Sequence, residues 1–240
     1  MNKSPNLIGI SGKIGTGKDT VATLINIICR YPDFSTSTIE HFYTNNNKFI
    51  SKMWEIKKFA GKLKSVASIL TGIPEHKFED QEFKKALLGP EWGSVSKDNP
   101  LNSIDPFKDI EFNNLMSVRE FLQKLGTDAM RKGLHSNTWV NALFTTYSSS
   151  SKWIVTDVRF ANEADAIKSR GGLLIRMVKN NTEVKSDHAS ETNLDDFNFD
   201  IYLVNEGSLG DLIEKVKEIV KLYNLNVAED EYYSHNEGFF

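Results

Sequence analysis

A glycine-rich stretch of seven residues, Gly12–Lys18, constrains this chain more than any other feature of its sequence. It has the spacing G-x-x-x-x-G-K, follows the apolar run Leu7–Ser11 and precedes apolar residues at helical spacing from Val21 to Ile28. Glycines in this context allow backbone N–H groups to converge on a phosphate, and the helix that follows adds the positive end of its dipole. The pattern therefore predicts a strand, a phosphate-binding loop and a helix. The expected donor-phosphate residues are Gly12, Lys13, Ile14, Gly15, Thr16, Gly17, Lys18, Asp19 and Thr20.

The residue after the lysine departs from the usual form of this motif. Asp19 stands where Ser or Thr normally contributes a ligand to Mg²⁺, and Thr20 follows one residue later. A carboxylate beside phosphates is expected to face Mg²⁺, water or a neighbouring cation. The alternative is a glycine-rich turn without chemical significance, which the strand–loop–helix context disfavours.

Composition excludes several classes of protein. The 240 residues suffice for one substantial domain with an insertion, and the apolar and charged fractions, 40% and 25%, are those of an ordinary globular protein. A net charge of −3 gives no basic field for polymeric nucleic acid or an anionic membrane. The single cysteine, Cys29, excludes an internal disulfide and fits a reducing compartment. We expect that the protein has no membrane segment and that it is located in the cytoplasm, or in the host's cytoplasm if the source is viral.

Strand and helix patterns alternate along the chain, which predicts an α/β fold with a mostly parallel sheet covered on both faces. Helices are predicted after the phosphate loop, through Leu63–Leu70, from the capping box at Ser117, over Ala161–Arg170 and after Ser208. The predicted strands are Leu7–Ser11, Met53–Ala60, Trp153–Thr156, Leu173–Val178 and Ile201–Val204.

Residues 75–116 differ in composition from the rest of the chain, because they contain several glycines and prolines and show little apolar periodicity. They are predicted to form an inserted lid or substrate segment, with one short helix near Asp80–Leu88. We expect Gly89–Leu115 to be mobile until both nucleotides bind. The domain prediction is one domain over residues 1–224, containing this insertion, and a poorly ordered acidic tail over residues 225–240.

Phosphate loops occur in proteins with many different activities, so the function must be inferred from other residues. The N/T-K-x-D motif that GTPases use to recognise the base is absent, and molecular motors need a larger chain. A kinase for a small molecule fits best and needs a second anion site for its acceptor. Candidates are Lys64, Arg119, Gln123, Arg131, Asp157, Arg159, His188 and Glu191. Their alternatives are a solvated surface charge for Lys64 and Arg119, helix capping for Asp157 and a structural role for His188.

Six ordered motifs, spread from about residue 7 to about residue 222, resemble those of bacteriophage deoxynucleoside monophosphate kinases. The most specific is the R-x-x-x-Q-x-x-G-T-D pattern, which begins at Arg119 and ends at Asp128. Some relatives carry an arginine at the position of Glu120, so a contact made by that arginine is absent here. The other five are Gly12–Thr20, Phe59–Lys64, Thr156–Arg159 with Glu163, Asp187–Glu191 and Asn205–Leu209.

The resemblance implies a three-layer P-loop NTPase fold, ATP and Mg²⁺, a deoxynucleoside monophosphate (dNMP) as the small-molecule acceptor, and a homodimer. Another kinase on this scaffold, such as a phosphomevalonate kinase, and an ATPase that acts as a binding module remain alternatives. The expected catalytic residues are Lys18, Arg119, Arg131, Asp157 and Arg159. The expected substrate-binding residues are Lys64, Arg119, Gln123, Thr127, Asp128, Trp139, Arg159, His188 and Glu191. Thr20 and Asp157 are the expected Mg²⁺ ligands.

Overall fold

The computed structural model describes residues 4–46, 53–93, 115–179 and 194–226. The chain divides into two compact units, of which the first consists of Met1–Lys58 with Thr146–Phe240 and the second of Phe59–Thr145. Residues 94–114 of the predicted lid and residues 227–240 of the predicted tail lie outside the described residues. The single domain ending at residue 224 stays a prediction.

The first unit is built on a five-stranded sheet in the order β2-β3-β1-β4-β5. Every neighbouring pair is parallel, so each connection must cross from one end of the sheet to the other. This confirms the predicted parallel α/β architecture. The strands are β1 (Leu7–Ser11), β2 (Glu55–Lys57), β3 (Trp153–Val158), β4 (Leu173–Val178) and β5 (Ile201–Val204).

Seven α-helices lie within the described residues. They are α1 (Lys18–Arg30), α2 (Thr36–Asn46), α3 (Phe59–Thr71), α4 (Val118–Gln123), α5 (Thr138–Phe144), α6 (Ala161–Lys168) and α7 (Leu209–Leu222). A π-helical stretch, Lys124–Leu134, continues α4. In these ranges, no helix combines the length and the apolar character that crossing a membrane requires.

Helices cover both faces of the sheet in the first unit. On one face, Ile8 and Ile10 of β1 share a buried cluster with Leu24 of α1 and with Ile213 of α7. On the other face, α6 approaches so closely that a Cβ atom added at Gly9 would lie 2.6 Å from the Ile167 side chain. The three layers bury the apolar sides of the helices and leave the carboxyl ends of the strands to the loops, where open α/β sheets bind ligands.

The second unit packs α3, α4 and the π-helical stretch around a small apolar core. The core includes Ala67, Phe78, Val118, Phe121 and Leu125. Ser117 caps α4, because its hydroxyl accepts the backbone N–H of Glu120 and the Glu120 carboxylate accepts the backbone N–H of Ser117. The predicted capping box is therefore confirmed.

The structure corrects two predictions in the segment that leads into this unit. The strand predicted over Met53–Ala60 spans only the three residues of β2, because Phe59 already begins α3. The sequence spacing also predicts Leu70 on the buried face of that helix with Leu63, Val66 and Ala67, but half of Leu70 is exposed. Leu63, Val66 and Ile73 pack against the core that includes Ala67, and Leu70 is not among the residues that contact it.

The helix predicted near Asp80–Leu88 is also wrong. A short 3₁₀ turn, Phe83–Lys85, occupies its middle, and the Asp80 carboxylate accepts the backbone N–H groups of Glu82 and Phe83. The chain then turns extended, and the Leu88 backbone N–H donates to the Met116 carbonyl. Local side-chain acceptors and this long-range bridge satisfy backbone groups that a helix would have paired internally.

The thiol of Cys29 is expected to be unreactive in the folded protein. Burial raises the pKa of the Cys29 thiol to about 11, so the thiol stays protonated at neutral pH. Because only the thiolate reacts, we expect modification by a disulfide reagent to be at least ~100-fold slower in buffer than in denaturant. Absorbance of the released thiol reports both rates, and rapid modification of the native protein would contradict this packing.

Candidate functional site

The loop between β1 and α1 has the conformation that the sequence predicts, and two glycines make it possible. Gly17 precedes α1 with a φ of 95°, a left-handed conformation that side chains disfavour. At Gly12, with a φ of 152°, an added Cβ atom would lie 2.8 Å from the Met177 Cβ and 2.9 Å from the Met177 carbonyl oxygen. The loop can therefore lie against β4 only with glycine at its first position.

Lys18 folds back over this loop. Its ammonium donates to the carbonyl oxygens of Gly12 and Lys13, both at 2.7 Å. The Lys13 carbonyl also accepts the Thr16 hydroxyl at 2.9 Å. These contacts place the Lys18 charge beside the loop backbone, where it adds to the positive end of the α1 dipole.

The Asp19 carboxylate lies between a hydroxyl and a cation. One oxygen accepts the Thr156 hydroxyl at 2.7 Å, and the other lies 3.1 Å from the Lys58 ammonium. Thr156 is buried near the carboxyl end of β3, whereas two thirds of the Asp19 side chain is exposed. The prediction that Asp19 faces a cation is confirmed, and Lys58 compensates the negative charge that Asp19 brings beside the phosphate loop.

Thr20, the predicted Mg²⁺ ligand, shares a hydrogen bond with the Tyr43 hydroxyl of α2 at 3.1 Å. In the described part of the chain, no group of three or more His, Cys, Asp or Glu side chains could hold a metal alone. Mg²⁺ that arrives with a nucleotide keeps phosphate and water ligands and needs only one or two from the protein. The hydroxyl of Thr20 and the carboxylate of Asp157, both hard oxygen donors, fit that limited demand, and their role stays a prediction.

Asp157 lies in β3 one residue before its end and Arg159 directly follows the strand, at the carboxyl end where the sequence predicts a ligand site. The start of α6 next to them is capped by Glu163, whose buried carboxylate accepts the backbone N–H groups of Arg159 and Phe160 at 2.8 and 3.1 Å. Glu163 therefore contributes to capping at this helix start. The same carboxylate fixes the backbone from which the Arg159 side chain extends.

Two side chains that contact the phosphate loop or its strand were not among the predicted site residues. Arg176 of β4 donates to the Ser11 hydroxyl at 2.9 Å and to the Asp195 carboxylate at 2.6 Å. Asn205, which follows β5, donates its side-chain N–H to the Thr16 carbonyl at 3.0 Å. For Arg176 the signal was a charge inside the apolar run Leu173–Val178, and for Asn205 it was the place of this residue at the start of the motif Asn205–Leu209.

In the second unit, α4 carries the candidates Arg119 and Gln123 on its exposed side. Arg119 donates to the Gln81 side-chain oxygen at 3.3 Å. Hydrogen bonds from the Ser117 backbone N–H and hydroxyl hold the pKa of Glu120 below its usual range, so this carboxylate is ionised at neutral pH and occupied in capping. Arg119 therefore provides the positive charge in the first turn of α4.

The π-helical stretch continues this surface with Thr127, Asp128 and Arg131. Asp128 forms an exposed ion pair with Lys132 at 2.9 Å, while Thr127 and Arg131 are half-buried. π-Helical turns are rare and are frequent at functional sites, which agrees with the predicted acceptor role of this segment.

Lys64 and Trp139 have interior positions in the second unit. The Lys64 ammonium is buried and pairs with the Glu79 carboxylate, so Lys64 is not the solvated charge that was the alternative. The indole N–H of the buried Trp139 donates to the Gly126 carbonyl at 3.0 Å. Both side chains support the segments around the predicted acceptor residues, and their direct contact with substrate stays a prediction. His188 and Glu191 lie outside the described residues.

Comparison with known proteins identifies a matching family. The model of the deoxynucleotide monophosphate kinase family matches residues 84–216. Over 223 residues, the chain is 26% identical to the deoxynucleoside-5′-monophosphate kinase of Escherichia phage T5, covering 78% of this chain and 84% of the relative.

Two further relatives match over shorter alignments. The deoxynucleotide monophosphate kinase of Escherichia phage RB69 is 29% identical over 114 residues, and that of Enterobacteria phage T4 is 31% identical over 111 residues. These alignments cover 45% and 44% of this chain. They span about half the length of each relative, 47% and 46%.

Proposed function

The chain belongs to the deoxynucleotide monophosphate kinase family, and from this premise we propose that it transfers the γ-phosphoryl group of ATP to the 5′-phosphate of a dNMP, giving dNDP and ADP. The observation that carries the proposal is the phosphate loop Gly12–Lys18, held between β1 and α1 with the Lys18 ammonium beside it. The named relatives supply the class of acceptor.

On the donor side, the loop N–H groups would bind the nucleotide phosphates and Lys18 would neutralise charge on the transferring group. Phosphoryl transfer requires little covalent chemistry from the protein, so positioning and electrostatic stabilisation supply most of the rate. When a phosphate arrives, the Lys18 ammonium can exchange its two carbonyl contacts for phosphate oxygens. Charge-assisted hydrogen bonds of this kind are about twice as strong as neutral ones.

Mg²⁺ bound with ATP supplies electrostatic neutralisation of the phosphate oxygens, and Thr20 and Asp157 are the residues that would hold it. Asp19 keeps a different position, between the Thr156 hydroxyl and the Lys58 ammonium. We infer that Asp19 ties the start of α1 to β3 and keeps Lys58 near the donor phosphates.

On the acceptor side, Arg119, Arg131 and Arg159 would bind the 5′-phosphate and the charge that develops during transfer. A planar guanidinium can donate two parallel hydrogen bonds to a phosphate, which fixes direction as well as charge. Gln123, Thr127 and Asp128 add polar groups near the first two arginines. No general base is needed, because the attacking oxygen of the dNMP phosphate is already ionised at neutral pH.

The dependence of ATP consumption on the acceptor tests this proposal. We expect ADP to form rapidly when a dNMP is added, and far more slowly with phosphomevalonate or with no acceptor. A coupled assay for ADP over this panel provides the measurement. Rapid ADP formation without any acceptor would support an ATPase instead, and turnover restricted to phosphomevalonate would support the other small-molecule kinase.

A further inference from the structure

The side-chain amide of Asn205 contacts the phosphate loop from beside the edge strand of the sheet. Asn205 follows β5, which β4 separates from β1 in the sheet, and it donates to the Thr16 carbonyl at 3.0 Å. We propose that Asn205 is a positioning residue, which orients the Thr16–Gly17 peptide so that the Gly17 N–H faces the donor phosphates. The proposal rests on the proposed function only in taking this loop as the donor-phosphate site.

The planarity of the peptide bond links the two ends of this peptide. In a trans peptide the carbonyl and the N–H point in opposite directions, so a contact that fixes one also fixes the other. Because Asn205 holds the Thr16 carbonyl on its own side, the Gly17 N–H must point away from Asn205. Gly17 is the residue that precedes α1, and N–H groups at the start of a helix are natural donors to phosphate.

The position of Asn205 is itself well fixed. Its backbone N–H donates to the Val178 carbonyl at the end of β4, at 2.8 Å. Three residues later, Ser208 caps α7 through a hydrogen bond from the backbone N–H of Asp211. The amide thus extends from backbone that is anchored on both sides, as a positioning group requires.

The amide also occupies space beside the loop. A Cβ atom added at Gly17 would lie 2.8 Å from the Asn205 side-chain nitrogen, so only glycine allows this approach. Gly17 has a φ of 95° here. Because glycine adopts positive and negative φ about equally readily, the peptides on either side of Gly17 can adopt several orientations. Without the amide of Asn205, the Thr16–Gly17 peptide has more freedom to rotate. Binding of ATP must then fix the orientation of this peptide, and the free-energy cost of doing so weakens ATP binding.

The test uses the full chain with Asn205→Ala and, as the matched control, Ala at the exposed neighbour Glu206. We expect Asn205→Ala to raise the KM for ATP and the Kd for magnesium tripolyphosphate about tenfold each, with the KM for dNMP within about twofold of wild type. Glu206→Ala should change none of these values. Tripolyphosphate has no base or sugar, so its binding reports the phosphate loop alone.

A second variant separates the hydrogen bond from the shape of the side chain. Asn205→Asp keeps the size of the amide but cannot donate to the Thr16 carbonyl, so we expect it to weaken tripolyphosphate binding at least as much as alanine does. Recovery of wild-type binding by Asn205→Asp would overturn the proposal. If the alanine variant does not fold, the aspartate variant carries the same test.

Two other outcomes would also overturn the proposal. Unchanged tripolyphosphate binding with weaker ATP binding would mean that Asn205 contacts the base or sugar. Equal loss for ATP and dNMP together with a lower melting temperature would mean that Asn205 only supports the fold. Tripolyphosphate binding requires no phosphoryl transfer, so the positioning role can be supported even if the wild-type protein phosphorylates no dNMP.

Discussion

Replacing Lys18 by alanine is expected to lower kcat by ~100-fold or more, on the order of 3 kcal/mol of transition-state stabilisation. The ammonium lies at 2.7 Å from two loop carbonyls, so its charge is beside the backbone that would hold the phosphates. Transfer moves negative charge onto the bridging oxygen, and a mobile ammonium can follow it. Initial rates at saturating ATP and dNMP give this value directly.

The control for Lys18 is Ala at Lys221, an exposed lysine in the last turn of α7. This variant loses the same charge away from the loop and should keep wild-type turnover. Circular dichroism and melting temperature should show that the Lys18→Ala protein is folded. Near-normal turnover by that folded protein would contradict the assignment of the phosphate loop.

Replacing Arg119 by alanine is expected to raise the KM for dNMP about tenfold or more and to leave the KM for ATP within about twofold. The guanidinium lies on the exposed side of α4, and its hydrogen bond to the Gln81 amide oxygen, at 3.3 Å, is long enough to be exchanged for a phosphate. Loss of charge-assisted hydrogen bonds to a phosphate costs roughly 1.5–3 kcal/mol. Arg119→Lys should recover little, because an ammonium cannot reproduce the guanidinium fork.

Lys124, an exposed cation at the end of the same helix, provides the matched control for Arg119. Lys124→Ala should leave both KM values unchanged. A fall in kcat with both KM values unchanged would place Arg119 on the transferring phosphoryl group instead. If Arg119→Ala changes no kinetic parameter, Arg119 is a solvated surface charge and the acceptor prediction for this helix is wrong.

Features encoded by local sequence could be predicted. Four of the five strands lie at or within two residues of their predicted bounds, because buried parallel strands are short continuous apolar runs bounded by polar or turn residues. The capping box at Ser117 and the cap at Ser208 also marked two helix starts, since a cap and its partner lie within four residues of each other. The phosphate loop belongs to the same class, as its glycines and lysine are contiguous.

Features that depend on partners distant in sequence could not be predicted. Helix α2 has a weak apolar pattern, and packing buries its Ile39 completely against α1 and α7. The π-helical stretch from Lys124 has no local signature that distinguishes it from an α-helix. The hydrogen bond from Asn205 to Thr16 joins residues 189 positions apart, and only the sheet order brings them together.

The destination of the γ-phosphoryl group decides whether this chain phosphorylates a dNMP. The protein is incubated with Mg²⁺, γ-labelled ATP and each of the common dNMPs in turn, and the labelled products are separated. We expect the label on the terminal phosphate of dNDP, with one ADP formed for each dNDP. Label found only in inorganic phosphate, or retained in ATP with every dNMP, would contradict this expectation.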